Sequence, residues 1–353
     1  GGFNNCLQLL ANMLNGKKKY ILNIAIIVII SATVVCLSIG NQWKQVINAF
    51  THAKILWIVL MSIVMFLYYI FDAFSLLYFG RAYKKDYTYK QSFVNAISGT
   101  FFNGITPFAS GGQFAQVYIF NKQGIAPTYS ASILLMCFIC YQSVLVIYTG
   151  VVLIFKYQYF MSQPAIFSLV MLGFLINFIV IAALFGGAKS RILQNFLTHT
   201  VLKLLYKVHI VKDYESTCFK VKNYLADFRD QLKFLQKNKP VLIRSCICNF
   251  IKLTIIYSMP FFAAKALNLN VTMTDFLDFI GLCSCIYLIN AFLPIPGASG
   301  GSEGVYLLLF SFLGPVGVSS SMFLWRFMSY YMGLIIGALV FSLDKEINRT
   351  RLE

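Results

Sequence analysis

The sequence predicts an all-α polytopic membrane protein with about six transmembrane helices plus two re-entrant helical hairpins in an inverted repeat. Three observations carry that reading. Of 353 residues, 59% are hydrophobic and 12% are charged, against roughly 25% charged in ordinary soluble domains. Six apolar runs reach the roughly 20 residues that a spanning helix needs. Two further apolar stretches are cut by glycine and proline into halves too short to cross, and the two cuts read alike.

The elements follow in order. Residues 1–19 form a cytoplasmic N-terminal segment, closed by Lys17, Lys18 and Lys19. The first membrane half, 20–188, holds spans at about 20–39, 55–79, 128–155 and 165–185. The first of these is no signal peptide, because its apolar run is too long and no small-residue cleavage pattern follows. A basic cytoplasmic connector fills 189–240. Within it Val221, Leu225, Phe228, Leu232 and Leu235 recur at helical spacing, an amphipathic helix that lies on an anionic leaflet or packs beneath the bundle. The second membrane half, 241–343, holds spans at about 241–264 and 318–343, and 344–353 form a cytoplasmic tail.

Charge gives the orientation. The formal charge of +17 is not read as nucleic-acid binding, because the basic residues sit in short patches between apolar runs. The patches place 23 basic residues on one side, while Lys44, Lys54, Lys156 and Lys265 fall on the other. The positive-inside rule then puts both termini in the cytoplasm. The nine cysteines form no disulfide or zinc pattern, and Cys137-x-x-Cys140 lies inside an apolar run as hydrophobic filler.

The interrupted stretches are 91–120 and 276–313. The first break reads Asn103-Gly-Ile-Thr-Pro107-Phe-Ala-Ser110-Gly111-Gly112, and the second Asn290-Ala-Phe-Leu-Pro294-Ile-Pro-Gly-Ala-Ser299-Gly300-Gly301. Each is Asn-x-x-x-Pro followed by Ser-Gly-Gly. Each half is too short to cross alone, which predicts a hairpin that breaks at mid-depth and returns. The topology makes the first enter from the cytoplasm and the second from outside, the inverted arrangement that many secondary transporters build around a midplane site.

Ionisable residues within the membrane are functional candidates by default. Arg326, Lys252 and Asp72 lie inside spans, and Glu303 follows the second Ser-Gly-Gly. Arg326 and Glu303 neutralise each other and pin the hairpin, or Arg326 takes a lipid phosphate, which guanidinium grips with two hydrogen bonds. Lys252 snorkels, pairs with Asp72 or meets the substrate. The breaks offer a second device. Helix N-termini at Gly111, Gly112, Gly300 and Gly301 present free amides to an anion. Asn103, Ser110, Asn290 and Ser299 then satisfy either the ligand or the broken backbone. No nucleophile elbow, P-loop, metal-ligand cluster or cofactor motif is found.

The residues 103–113 with Lys122-Gln-Gly124-Ile125 behind them, Leu293-Pro294-Ile-Pro296-Gly297-Ala-Ser-Gly300-Gly301-Ser-Glu303-Gly304, and Arg326 in the last span resemble the lysylphosphatidylglycerol synthase transmembrane region family. The resemblance covers nearly the whole chain. It implies the flippase part of the multiple peptide resistance factor, moving phosphatidylglycerol or its lysyl ester between leaflets. The chain stops at Glu353, shortly after the last span, so it implies the membrane part only. A lysyltransferase role would belong to fused relatives, and the expectation is a non-enzyme. The expected partners are membrane phospholipid and a separately encoded synthase, with a homo-oligomer left open. A membrane enzyme on a lipid-linked substrate and a non-transporting partner of a synthase stand as the competing readings.

Overall fold

The computed structural model describes residues 43–106, 109–157, 164–190, 195, 200, 202–207, 213–290, 293, 296–344 and 347. The expected span at 20–39, Pro107 and Pro294 lie outside them. Among the described residues the chain is helical and has no strand. The helices are α1 (Trp43–Thr51), α2 (Ile55–Tyr83), α3 (Tyr89–Gly104), α4 (Gly111–Lys122), α5 (Pro127–Phe155), α6 (Pro164–Lys189) and α7 (Leu202–Lys207). They continue as α8 (Tyr214–Lys237), α9 (Lys239–Ala266), α10 (Phe276–Asn290), α11 (Gly301–Leu309), α12 (Pro315–Arg326) and α13 (Met332–Leu343).

Local signals start these helices where the sequence places them. Thr88 caps α3, taking the Gln91 amide at 3.3 Å while Gln91 Oε1 accepts the Thr88 amide at 3.1 Å. A proline opens α5, α9 and α12, where its missing N–H costs nothing. Pro260 sits inside α9 and frees the carbonyl of Ile256. The thiol of Cys283 on α10 approaches that carbonyl at 3.9 Å, so a neighbouring helix covers the vacancy.

Helices α2, α5 and α9, and the run Pro315–Leu343, are each long and apolar enough to cross a membrane. So is Met273–Asn290, which joins a 3-10 turn to α10. The sequence reading makes this segment the entering half of the hairpin at 276–313, too short to cross alone. The turn adds three residues and brings the arm to roughly 27 Å, close to a ~30 Å core. Its return arm α11 has nine residues, about 14 Å. The last span is not one regular helix either. A π-helical turn, Phe327–Tyr331, separates α12 from α13, a feature that re-aims side chains and gathers at functional sites.

The two halves show the same packing scheme. Helix α2 packs on α3 as α9 packs on α10, and α4 packs on α5 as α11 packs on α12. The first arm of each hairpin also packs on the span that follows the hairpin of the other half, α3 on α13 and α10 on α5, and α10 packs on α6 as well. The most extensive contact joins α2 to α9. These counterparts run antiparallel, since the Lys54 amide donates to Ala266 O at 2.8 Å while Ser75 meets Ser245 at 3.0 Å. Exchanging the halves with inversion preserves the scheme. The breaks agree in backbone as well: Ala109 (φ 49°) and Ala298 (φ 51°) precede the two Ser-Gly-Gly motifs in the left-handed region, at about 1–2 kcal/mol each.

The connector helix α8 packs beneath the bundle against α5, α6 and α9, burying Leu225 and Leu235. Asp213 caps it by accepting the Ser216 amide at 3.1 Å.

Candidate functional site

The intramembrane charges form two pairs, each joining different helices. Lys252 of α9 places Nζ 2.6 Å from Oδ1 of Asp72 on α2. Lys252 is buried, and the Tyr141 and Tyr68 rings lie 5.0 and 5.8 Å from its ammonium. The Asp72 side chain keeps 24% exposure, because a cavity opens beside it. One turn away, Ser75, Ser245 and Asn249 continue a buried polar ladder between the same two helices.

That cavity has a volume of about 350 Å³. Asp72 and Lys252 line one wall; Asn103, Gln113 and Gln116 of the first hairpin line another. It thus lies between the antiparallel pair α2/α9, the first break and α5. In an apolar bundle a pocket so rich in amide and charged groups is the default site for a polar ligand. Asn249 and Tyr141 also face it.

The hairpin arms behind this wall touch closely. The Gly112 amide donates to Asn103 Oδ1 at 2.9 Å. A Cβ on Gly112 would lie 2.2 Å from that oxygen and 2.5 Å from the Gly99 carbonyl. Gly112→Val is therefore expected to push α3 and α4 apart and cost about 1–3 kcal/mol, read as a lower melting temperature in detergent. The Gly111 amide is likewise held, by Thr106 Oγ1 at 2.8 Å.

The second pair lies under the second break. Arg326 Nε is 2.9 Å from Glu303 Oε1, and both residues are buried. The two atoms are close enough for an ion pair but out of hydrogen-bond alignment. Arg326 Nη2 donates to Gly297 O at 2.6 Å and to Ser299 Oγ at 3.2 Å. Glu303 Oε2 accepts the Gly300 amide at 2.7 Å. Asn290 Oδ1 accepts from Ser302 Oγ at 3.0 Å, and Gly301 leaves room for Leu293. The break therefore already holds an anion at the start of α11, and it is the chain's own carboxylate.

Tyr330, on the π turn, ties the two breaks together. Its hydroxyl donates to Gly104 O at 2.9 Å, and its ring stacks on the Arg326 guanidinium at 4.1 Å. A Cβ on Gly297 would meet the Tyr330 hydroxyl at 2.3 Å. Tyr330→Phe is expected to keep the stack, lose the bond to Gly104 and cost about 0.5–1.5 kcal/mol, measured by thermal unfolding.

The candidates from the sequence thus fall into two groups. Asp72, Lys252 and Asn103 share the cavity, with Ser110, Gly111 and Gly112 in the turn behind it at the start of α4. Arg326, Glu303, Ser299 and Gly300 close on one another at the second break, with Asn290 and Gly301 beside them. The amides of Gly111, Gly112 and Gly300 are each held by a side chain of the chain itself. Of the roles left open above, this geometry matches pinning of the breaks. Gln113, Gln116, Tyr141 and Tyr330 were not legible as site residues, although Gln113 and Gln116 stand three apart on one face of α4.

No curated protein matches the chain at a significant level. The family model described as the lysylphosphatidylglycerol synthase TM region matches residues 20–337, a stretch that takes in both hairpins, both charge pairs and the cavity, and the chain belongs to that family.

Proposed function

We propose that this chain is a flippase-like transporter that moves an anionic or aminoacylated phospholipid between the leaflets of a bacterial-type plasma membrane. The phospholipid is of the phosphatidylglycerol or lysyl-phosphatidylglycerol class. The observation that carries the reading is the polar cavity with Lys252 and Asp72 on its wall. Its size falls in the roughly 300–1,000 Å³ range of ligand pockets. The head group enters the cavity while the acyl chains stay in lipid. Lys252 takes the phosphate, and Asp72 remains as counter-ion or takes an ammonium on the head group. Gln113, Gln116 and Asn103 supply hydrogen bonds in place of water. The antiparallel pair α2/α9 is the seam about which the halves rock, giving access from each face in turn.

In this reading both termini are cytoplasmic, and the chain is no enzyme. Asp72 faces Lys252 while Glu303 faces Arg326, so the two acids have different partners. It works beside a separately encoded synthase that supplies aminoacylated lipid.

The test is scrambling in proteoliposomes with fluorescent or aminoacylated phosphatidylglycerol. Faster exchange than in protein-free vesicles is the expected result. No acceleration for any anionic phospholipid overturns the proposal, and turnover of the lipid by the purified chain overturns the non-enzyme part.

A further inference from the structure

We propose that a cleft on the outer flank of α5, α9 and α10 binds one phospholipid whose head group carries both a phosphate and an ammonium. The cleft has a volume of about 860 Å³. Its walls are apolar: Val144, Ile147 and Val151 of α5 face Ile247 and Phe250 of α9. From Val144 to Phe155 it follows α5 for roughly 16 Å at 1.5 Å per residue. That is the depth of one leaflet in a ~30 Å core.

At its end the apolar slot meets charge. Lys156, which caps α5, pairs with Asp278 in the first turn of α10, and both residues line the cleft. They also line an adjoining cavity of about 260 Å³, shared with Asp275. An ordinary lipid-facing surface is convex and apolar throughout. This one is concave, one leaflet deep, and ends in a cation beside an anion. Those are the dimensions of a single chain below and a head group above.

The charges select the head group. The Lys156 and Asp278 side chains keep 38% and 49% exposure, so both reach a ligand. A zwitterion lies head to tail on such a pair, phosphate on the Lys156 ammonium and ammonium on the Asp278 carboxylate. Asp275 adds a second acid at the mouth. A head group with only a phosphate leaves these acids facing an anion. The cleft is lined by one helix of the first half and two of the second, so the bound lipid spans their seam. It is a different place from the cavity at Lys252, and the assignment does not depend on transport.

The experiment uses the full chain in nanodiscs of phosphatidylglycerol. They carry a trace of phosphatidylethanolamine with a diazirine on one acyl chain. After irradiation, labelled residues are mapped by mass spectrometry. Label is expected at Val151 and Ile247 above that at Ile63, which is exposed on α2. Replacing part of the phosphatidylglycerol host with unlabelled phosphatidylethanolamine should compete it away while leaving Ile63 label unchanged. Ile247→Trp or Val151→Trp, which fill the slot, should abolish cleft label while leaving Ile63 label unchanged. Lys156→Gln with Asp278→Asn should weaken competition about fivefold. Equal label at Ile63 and Ile247, or cleft label that survives both tryptophans, means ordinary surrounding lipid and overturns the site. Absence of cleft label overturns it too, as when the chain's own residues fill the slot. Cleft label that does not fall as phosphatidylethanolamine replaces phosphatidylglycerol overturns the head-group assignment.

Discussion

Glu303→Ala is expected to destabilise the protein by about 3–5 kcal/mol, because it strands the Arg326 guanidinium in a buried site. The effect is larger than that of a surface pair, since both partners are shielded from water. It also removes the anion at the start of α11 and releases the Gly300 amide. Arg326→Ala should cost a similar amount by stranding the carboxylate. The double replacement Glu303→Leu with Arg326→Met is expected to regain much of the loss, since a buried ion pair exchanged for apolar groups of similar volume is often near neutral. The measurement is thermal unfolding in detergent, followed by size-exclusion chromatography. Single variants that melt with the parent would sink the claim that this pair holds the second break.

The second large effect is on flux. Lys252→Met is expected to lower head-group transport about 10- to 100-fold, the equivalent of one lost charge-assisted hydrogen bond of roughly 1.5–3 kcal/mol. Asp72→Asn leaves the Lys252 ammonium facing a neutral amide and should lower both flux and melting temperature. The exchange Asp72→Lys with Lys252→Asp separates the two roles. It keeps a salt bridge between α2 and α9 but moves the cation to the other helix, so stability should return while flux does not. Full flux in the exchanged protein would mean that the pair only joins the helices.

How much of this could be read beforehand depends on the range of the signal. Length and hydropathy are local, so α2, α5 and α9 begin within two residues of their expected starts and run on by as much as four. The matching breaks were legible for the same reason: Asn-x-x-x-Pro and Ser-Gly-Gly are short patterns with a backbone cause. Ala109 and Ala298 then prove to share a left-handed conformation that their residue type does not announce. The site was legible only in part. Rarity of charge singled out Asp72, Lys252, Arg326 and Glu303. Both pairings stood among the alternatives, but choosing them over the others is a matter of packing between segments, about 180 residues apart in the case of Asp72 and Lys252. The cavity is harder still, because an empty space has no residue of its own. Gln113 and Gln116 look like ordinary polar residues until α4 folds back against Gly99 and aims them inward. Tyr330 depends on a π-helical turn, which apolar periodicity does not encode.

The carboxylate under the second break has a further consequence. Aligned on Ser-Gly-Gly, the position of Glu303 is held in the first half by Phe114, which is exposed. The backbone repeat is therefore duplicated but its chemistry is not. One hinge is locked by its own ions, while the counterpart abuts the cavity and carries no acid at that position. Two faces built on unequal hinges have unequal opening energies. In the proposed transporter this inequality gives the resting state a preferred face, set by residue 303 against residue 114.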